Sequence, residues 1–188
     1  MKYRKNILAI SGSTRDKSSN MNLIKAIIKI SGDFLNVNIF NGLTEIPHFN
    51  PDLDNENPPL QVLNFRKQIG ESEGILICTP EYAMGVPGTL KNAIDWTVSS
   101  ANFYLKPTAL ITASTLGQKG HNSLMETLKI IDADINNNTQ LVISHIKTKV
   151  NAECKITDNE TLNQINELLQ CFNEVMSEMK VTNASSVI

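Results

Sequence analysis

The run Gly12-Ser13-Thr14-Arg15-Asp16-Lys17-Ser18-Ser19-Asn20 gathers three serines, a guanidinium and an amide within nine residues. It follows the short apolar run Ile7 to Ile10 and precedes a helical pattern, so it reads as a loop between a buried strand and a helix amino terminus. Unpaired backbone N–H groups and the helix dipole favour an anion there. Ser13, Ser18 and Ser19 can donate to phosphate oxygens, Asn20 can donate its amide hydrogens, and Arg15 can engage two oxygens at once. Together these groups suit a phosphate monoester. The plainer alternative is that the Ser, Thr and Asn residues only cap the helix and Arg15 is solvated. The loop contains neither G-x-G-x-x-G nor G-x-x-x-x-G-K-[ST], which removes the dinucleotide fingerprint and the Walker loop.

A second run, Thr79-Pro80-Glu81-Tyr82-Ala83-Met84-Gly85-Val86-Pro87-Gly88, holds two prolines and two glycines and can present its backbone rigidly. Exposed backbone N–H and C=O groups match the alternating donors and acceptors at the edge of a flat heteroaromatic ring, with Tyr82 and Met84 giving apolar contact. The alternative is a proline-rich turn whose Tyr82 covers the core. Other chemistries lack their residues. His48, His121 and His145 are scattered with no Cys or carboxylate spacing for a metal, and Cys78, Cys154 and Cys171 form no Cys-x-x-Cys pair, so all read as structural or surface residues. No Ser-His-Asp order can be assigned, and Ser114 is not in a G-x-S-x-G elbow.

Positioning these loops falls to the apolar runs between them. Ile7 to Ile10, Ile75 to Cys78 and Ala109 to Ala113 are short and continuous, as expected of strands buried on both faces of a parallel sheet. Leu35, Val37 and Ile39 alternate with Asn36, Asn38 and Phe40, which predicts an edge strand, and Gln140 to Ile146 predicts a fifth strand at the opposite edge. Helical patterns lie between. Ser19 or Asn20 can cap a helix bearing Leu23, Ile24, Ile27 and Ile28, and Leu90, Ala93, Ile94, Thr97 and Val98 make a second stripe. Thr157-Asp158-Asn159-Glu160 reads as a capping box before the stripe Leu162, Ile165, Leu169, Phe172 and Met176. Pro47 to Pro59 reads as a long surface loop. Alternating strands and helices predict one doubly wound α/β sheet with helices on both faces, whose ligands bind beyond the carboxyl ends of the strands. That points to the segments Ser11–Asn20, Thr79–Gly88 and Ser114–Gly120.

Length and composition agree. A chain of 188 residues with 41% apolar and 19% charged residues is expected to fold as a single domain, 1–181, followed by a flexible tail, 182–188. Seventeen Lys+Arg against nineteen Asp+Glu give a formal charge of −2, which argues against a nucleic-acid partner. No apolar run approaches the roughly 20 residues of a membrane span, and the one after the basic start is too short for a signal peptide. The expected location is the cytoplasm.

Two motifs, Gly12-Ser13-x-Arg15-x-x-Ser18-x-Asn20 and Pro80-Glu81-Tyr82-x-x-Gly85-x-Pro87-Gly88-x-Leu90-Lys91-Asn92-Ala93-Ile94-Asp95-Trp96, resemble those of the NADPH-dependent FMN reductase family. The stretch Ile46-Pro47-His48-Phe49-Asn50-Pro51-Asp52-Leu53 is similar to that family's connecting loop, and the resemblance covers nearly the whole chain. It implies a flavodoxin-like sheet of order 2-1-3-4-5, bound FMN, NADPH or NADH as electron donor, and a homodimer or homotetramer. Carried over, Ser13, Arg15, Ser18 and Asn20 hold the FMN phosphate, assisted by Ser19, while Pro80, Glu81, Tyr82, Ala83 and Met84 run along the ring edge. Ser114, Thr115 and Gly117 resemble ring-contacting positions. Many members have Asn after Glu-Tyr and Ser two residues on, where this chain has Ala83 and Gly85, a difference that bears on the substrate pocket. Trp96 reads either as an anchor against a partner subunit or as a core residue of its own domain.

What the resemblance implies chemically is a ping-pong cycle: nicotinamide donates hydride to the flavin N5, and a small acceptor such as free flavin, a quinone or an azo compound then takes the electrons at the same ring face. No catalytic side-chain acid or base and no metal is expected. A flavodoxin-type electron carrier without intrinsic reductase activity is the first rival; a charge of −2 and Arg15 in the phosphate loop argue against it. A relative that keeps the fold but has lost the flavin is the second, and the intact loop argues against that.

Overall fold

The computed structural model describes residues 3–15 and 17–185. Five strands, β1 (Lys5–Ser11), β2 (Leu35–Phe40), β3 (Gly74–Thr79), β4 (Thr108–Ala113) and β5 (Gln140–Ile143), form one sheet in the order β2-β1-β3-β4-β5. Every pairing is parallel. The order is the expected one, and burial separates its central strands from its edges. Successive side chains of a strand point to opposite faces, and in β1 Ile7 and Ala9 enter one core while Leu8 and Ile10 enter the other. In β3 Leu76 and Cys78 oppose Ile75 and Ile77 in the same way. Strands that are apolar at every position need helices on both sides. Edge strand β2 instead exposes Asn36 and Asn38.

Helices α1 (Ser19–Ser31) and α6 (Asn159–Ser185) cover one face, through Leu23, Ile24 and Ile27 and through Ile165, Leu169, Phe172 and Met176. Helices α2 (Leu60–Glu71), α3 (Gly88–Asp95) and α4 (Gln118–Ile130) cover the other, and a single turn, α5 (Ile146–Lys149), follows β5. Among the described residues no helix is long and apolar enough to cross a membrane, and the three cysteines are free. The expected tail overlaps the end of α6, and residues 186–188 lie outside the described residues.

Three local expectations change. The α1 cap is Ser18, not Ser19 or Asn20: Ser18 is extended, with φ −107° and ψ 126°, and its Oγ accepts the Met21 N–H at 3.4 Å. Ser19 and Asn20 already lie inside the helix. At α6 Thr157 is not the cap, because Asp158 Oδ2 accepts the Thr161 N–H at 2.9 Å. The Thr157 N–H is given to the Lys149 carbonyl instead. Trp96 is fully buried within its own domain. Its indole N–H donates to the Pro47 carbonyl at 2.8 Å, and the Phe49 ring meets it edge-on at 5.1 Å. A side chain enclosed in this way cannot anchor a partner subunit, and it fastens the Pro47–Pro59 loop instead.

Candidate functional site

Beyond the carboxyl ends of the strands lies a cavity of about 420 Å³. Its position follows from the sheet order, because the order of the strands reverses where β1 meets β3 and the crossovers leave to opposite sides there. The first wall is the loop after β1. Gly12 passes so close to the end of β3 that a Cβ there would lie 2.2 Å from Thr79 Oγ1, and its N–H donates to the Cys78 carbonyl at 2.8 Å. Only glycine lets the two strands release their loops side by side. The chain then turns into α1, whose first-turn amides point at the cavity as at any helix amino terminus.

Ser13, Arg15, Ser18, Ser19 and Asn20 all line this cavity. Ser13, Ser18 and Asn20 are buried, whereas Arg15 is exposed and has no ion pair or hydrogen bond among the described residues. Asn20 is partly committed: its Nδ2 donates to the Ala113 carbonyl at 3.1 Å, and its Oδ1 lies 3.3 Å from Cys78 Sγ. One amide hydrogen of Asn20 therefore fastens α1 to the end of β4 and leaves the other for a ligand. Burial pushes the Cys78 thiol up, so it stays protonated beside Asn20.

The second wall is the turn after β3. Tyr82 and Gly85 exchange backbone hydrogen bonds at 3.0 and 2.9 Å around Ala83 and Met84, whose φ values are 48° and 61°. Two consecutive left-handed residues make a tight turn that usually takes Asn-Gly, and a side chain at such φ costs roughly 1–2 kcal/mol. The loop is held in that shape from outside. Glu81 Oε2 accepts the Gly120 N–H at 2.7 Å, and a Cβ on Gly120 would come within 2.9 Å of the Gly85 carbonyl oxygen. Pro80, Glu81 and Tyr82 line the cavity, while Ala83 and Met84 stand outside its lining. The N–H groups of Ala83 and Met84 have no hydrogen-bond partner among the described residues.

The third wall holds Ser114 and Thr115, which line the cavity, and Gly117, which does not. A further segment escaped the sequence reading. His145, Ile146, Lys147 and Thr148, at and after the end of β5, also line the cavity. His145 has φ 55° and ψ 37°, which reverses the chain into α5. The signal in the sequence was the rule already applied to the other strands, since β5 ends at the same edge. Among the described residues no group of His, Cys, Asp and Glu could hold a metal. The cavity thus offers hydroxyls, a guanidinium and helix amides at one end and a rigid, partly unpaired backbone edge at the other.

Comparison with known proteins bears on this arrangement. A family model described as NADPH-dependent FMN reductase matches residues 5–148. The chain is 30% identical over 189 residues to a quinone reductase of Escherichia coli K12, covering 96% of this chain and all (100%) of that protein. It is 31% identical over 172 residues to an NAD(P)H-dependent FMN reductase of Pseudomonas aeruginosa, covering 88% and 92% of the two. A solved structure, the flavoenzyme NAD(P)H:(acceptor) oxidoreductase FerB of Paracoccus denitrificans, shares the fold with a TM-score of 0.76 at 24% identity, over 93% of this chain and 98% of that one. The match takes in both the loop after β1 and the turn after β3, and on that ground the chain belongs to the NADPH-dependent FMN reductase family.

Proposed function

We propose that the cavity is the FMN site of this NAD(P)H-dependent oxidoreductase, with Ser13, Arg15, Ser18, Ser19 and Asn20 on the phosphate and the Pro80–Met84 turn along the ring edge. The observation that carries the reading is the convergence of an anion-seeking helix terminus and a rigid backbone edge on one cavity. The donor set fits the cofactor: hydroxyls, a guanidinium and helix amides suit a phosphate dianion, and paired backbone donors and acceptors suit a pyrimidine edge. Bound FMN supplies the redox chemistry, accepting hydride from NAD(P)H and passing electrons to the acceptor.

What the chain itself does is hold and expose. Ser18 and Arg15 fix the anionic end, Glu81 and Gly120 keep the turn after β3 from swinging, and no side chain is required as proton donor. Tyr82 and Met84, 48% and 67% exposed, offer apolar and polarizable surface at the mouth, which suits a planar acceptor of the quinone class. Donor and acceptor use one open face in turn, a ping-pong order. We place the enzyme in the cytoplasm as a homodimer or homotetramer.

Steady-state rates with NADPH and a soluble benzoquinone test this. Parallel double-reciprocal lines are expected, with NADPH bleaching the visible flavin band anaerobically in the absence of quinone. Intersecting lines would overturn the shared-face order. A bound flavin that neither NADPH nor NADH bleaches would favour an electron carrier.

A further inference from the structure

Lys147 lines the same cavity as Ser18, Ser19 and Asn20 at the start of α1. Its backbone is not free to drift. The N–H groups of His145 and Ile146 donate to the carbonyls of Thr115 and Ser114, each at 3.2 Å, and Ser144 Oγ donates to the Leu116 carbonyl at 2.9 Å. These bonds join the end of β5 to the loop after β4. On the other side Asn22 Nδ2 donates to the Asn151 carbonyl at 3.1 Å, which joins α1 to the segment after α5. The turn bearing Lys147 is therefore pinned to both walls that flank it.

The charges are unbalanced in a telling way. Arg15 and Lys147 are the lysine and arginine side chains lining the cavity among the described residues, and neither has an ion pair or hydrogen bond there. Glu81, the lining carboxylate, is engaged by the Gly120 N–H. A phosphate monoester near neutral pH carries a charge of about −1.5 to −2. A helix amino terminus offsets roughly half a charge and Arg15 one more, which leaves from none to about half a negative charge unmatched across that range.

We propose that Lys147 is a ligand of the FMN phosphate, closing the cradle from the β5 side of the cavity that Arg15 also lines. The assignment rests on the reading of Ser13–Asn20 as the phosphate loop. It gives the turn after β5 a binding role that neither sequence motif carries. The ammonium acts as a point charge on a flexible stem, so Arg at this position retains the function and Gln does not.

Full-length protein freed of flavin is titrated with FMN and, separately, with riboflavin, which has the same ring and no phosphate. Lys147→Gln is expected to weaken FMN binding about tenfold, the scale of one charge-assisted hydrogen bond, and to leave riboflavin binding unchanged. Lys147→Arg is expected to stay within about threefold of the parent for both. Unchanged FMN affinity in Lys147→Gln overturns the proposal. So does an equal loss for both flavins, which marks a structural role for the turn. A change confined to the KM for NADPH relative to NADH overturns it too, by moving the lysine to the donor. If the parent protein shows no preference for FMN over riboflavin, the reading of the phosphate loop itself falls.

Discussion

The Glu81 carboxylate accepts the backbone N–H of Gly120 at 2.7 Å, so the turn after β3 and the first turn of α4 move as one piece. This bond restrains a turn whose two central residues sit at left-handed φ without being glycine. Removing the carboxylate in Glu81→Ala is expected to weaken FMN binding about tenfold, the size of one charged hydrogen bond. Glu81→Gln retains an acceptor oxygen and should lose less. Gly120→Ala tests the same contact from the other side. Alanine raises helix propensity by up to about 1 kcal/mol, yet its Cβ would press on the Gly85 carbonyl oxygen at 2.9 Å. Lower FMN affinity without a large fall in Tm is the expected result, read by fluorescence titration and thermal melts.

Arg15 and Ser18 should separate by their effect on stability. Arg15 is exposed and unpartnered among the described residues, so Arg15→Ala should leave Tm unchanged while FMN affinity falls by tenfold or more. Ser18 caps α1, so Ser18→Ala should lose affinity and also about 1 kcal/mol of stability. Riboflavin affinity is the control, expected to change little in Arg15→Ala. An Arg15→Ala protein that binds FMN as the parent does would contradict the phosphate assignment.

His121 makes stability depend on pH. Its Nε2 lies 2.8 Å from Gln140 Oε1 and its Nδ1 2.9 Å from Thr112 Oγ1. Gln140 Nε2 donates to Asn137, so its oxygen faces the imidazole, which therefore carries a proton on Nε2. Burial lowers the His121 pKa, partly offset by the bond to Gln140. A depressed histidine binds its proton more readily in the unfolded chain, so stability is full above the unfolded value of about 6.5 and falls as pH drops below it. Thermal melts between about pH 7.5 and 5 should show this slope, and His121→Gln should flatten it.

Asp54 and Arg66 tie the segment after Pro51–Leu53 to the end of α3. Asp54 Oδ1 meets Arg66 at 2.6 Å and Oδ2 accepts from Ser99 at 2.7 Å, while the guanidinium also reaches the Trp96 carbonyl, from Nε at 2.8 Å. Desolvation raises the Asp54 pKa, but the hydrogen bonds from Arg66 and Ser99 and the arginine charge outweigh it and hold the carboxyl below the usual range. Asp54→Ala leaves a largely buried guanidinium without its carboxylate and should cost about 2–3 kcal/mol in urea denaturation. Both side chains are under 15% exposed, at 13% for Arg66 and 9% for Asp54, so added salt should weaken the parent pair little.

The continuous runs in β1, β3 and β4 dictated a sheet buried on both faces, and the alternation in β2 dictated an edge, because burial of apolar side chains is set by period alone. The residue types around Ser13–Asn20 and Pro80–Tyr82 carried their chemistry openly, since hydroxyls, a guanidinium and a proline-bounded turn mean much the same in any tertiary setting. The cap of α1 lies one or two residues before the expected Ser19 or Asn20, because Ser18, Ser19 and Asn20 are all good caps and the choice depends on which one adopts an extended backbone.

Tertiary structure alone decided the rest. Trp96 had two readings until the Pro47 carbonyl was found 2.8 Å from its indole nitrogen, a contact between residues far apart in sequence. Lys147 carries no motif in the sequence and His145 reads as a structural or surface residue, and both line the cavity because β5 ends beside β4 and a reversal at His145 turns the chain into α5. Local pattern determines which face of an element is apolar and which loops can bind an anion. Which distant loops share one cavity depends on strand order and crossover packing, and those are settled only when the whole sheet is assembled.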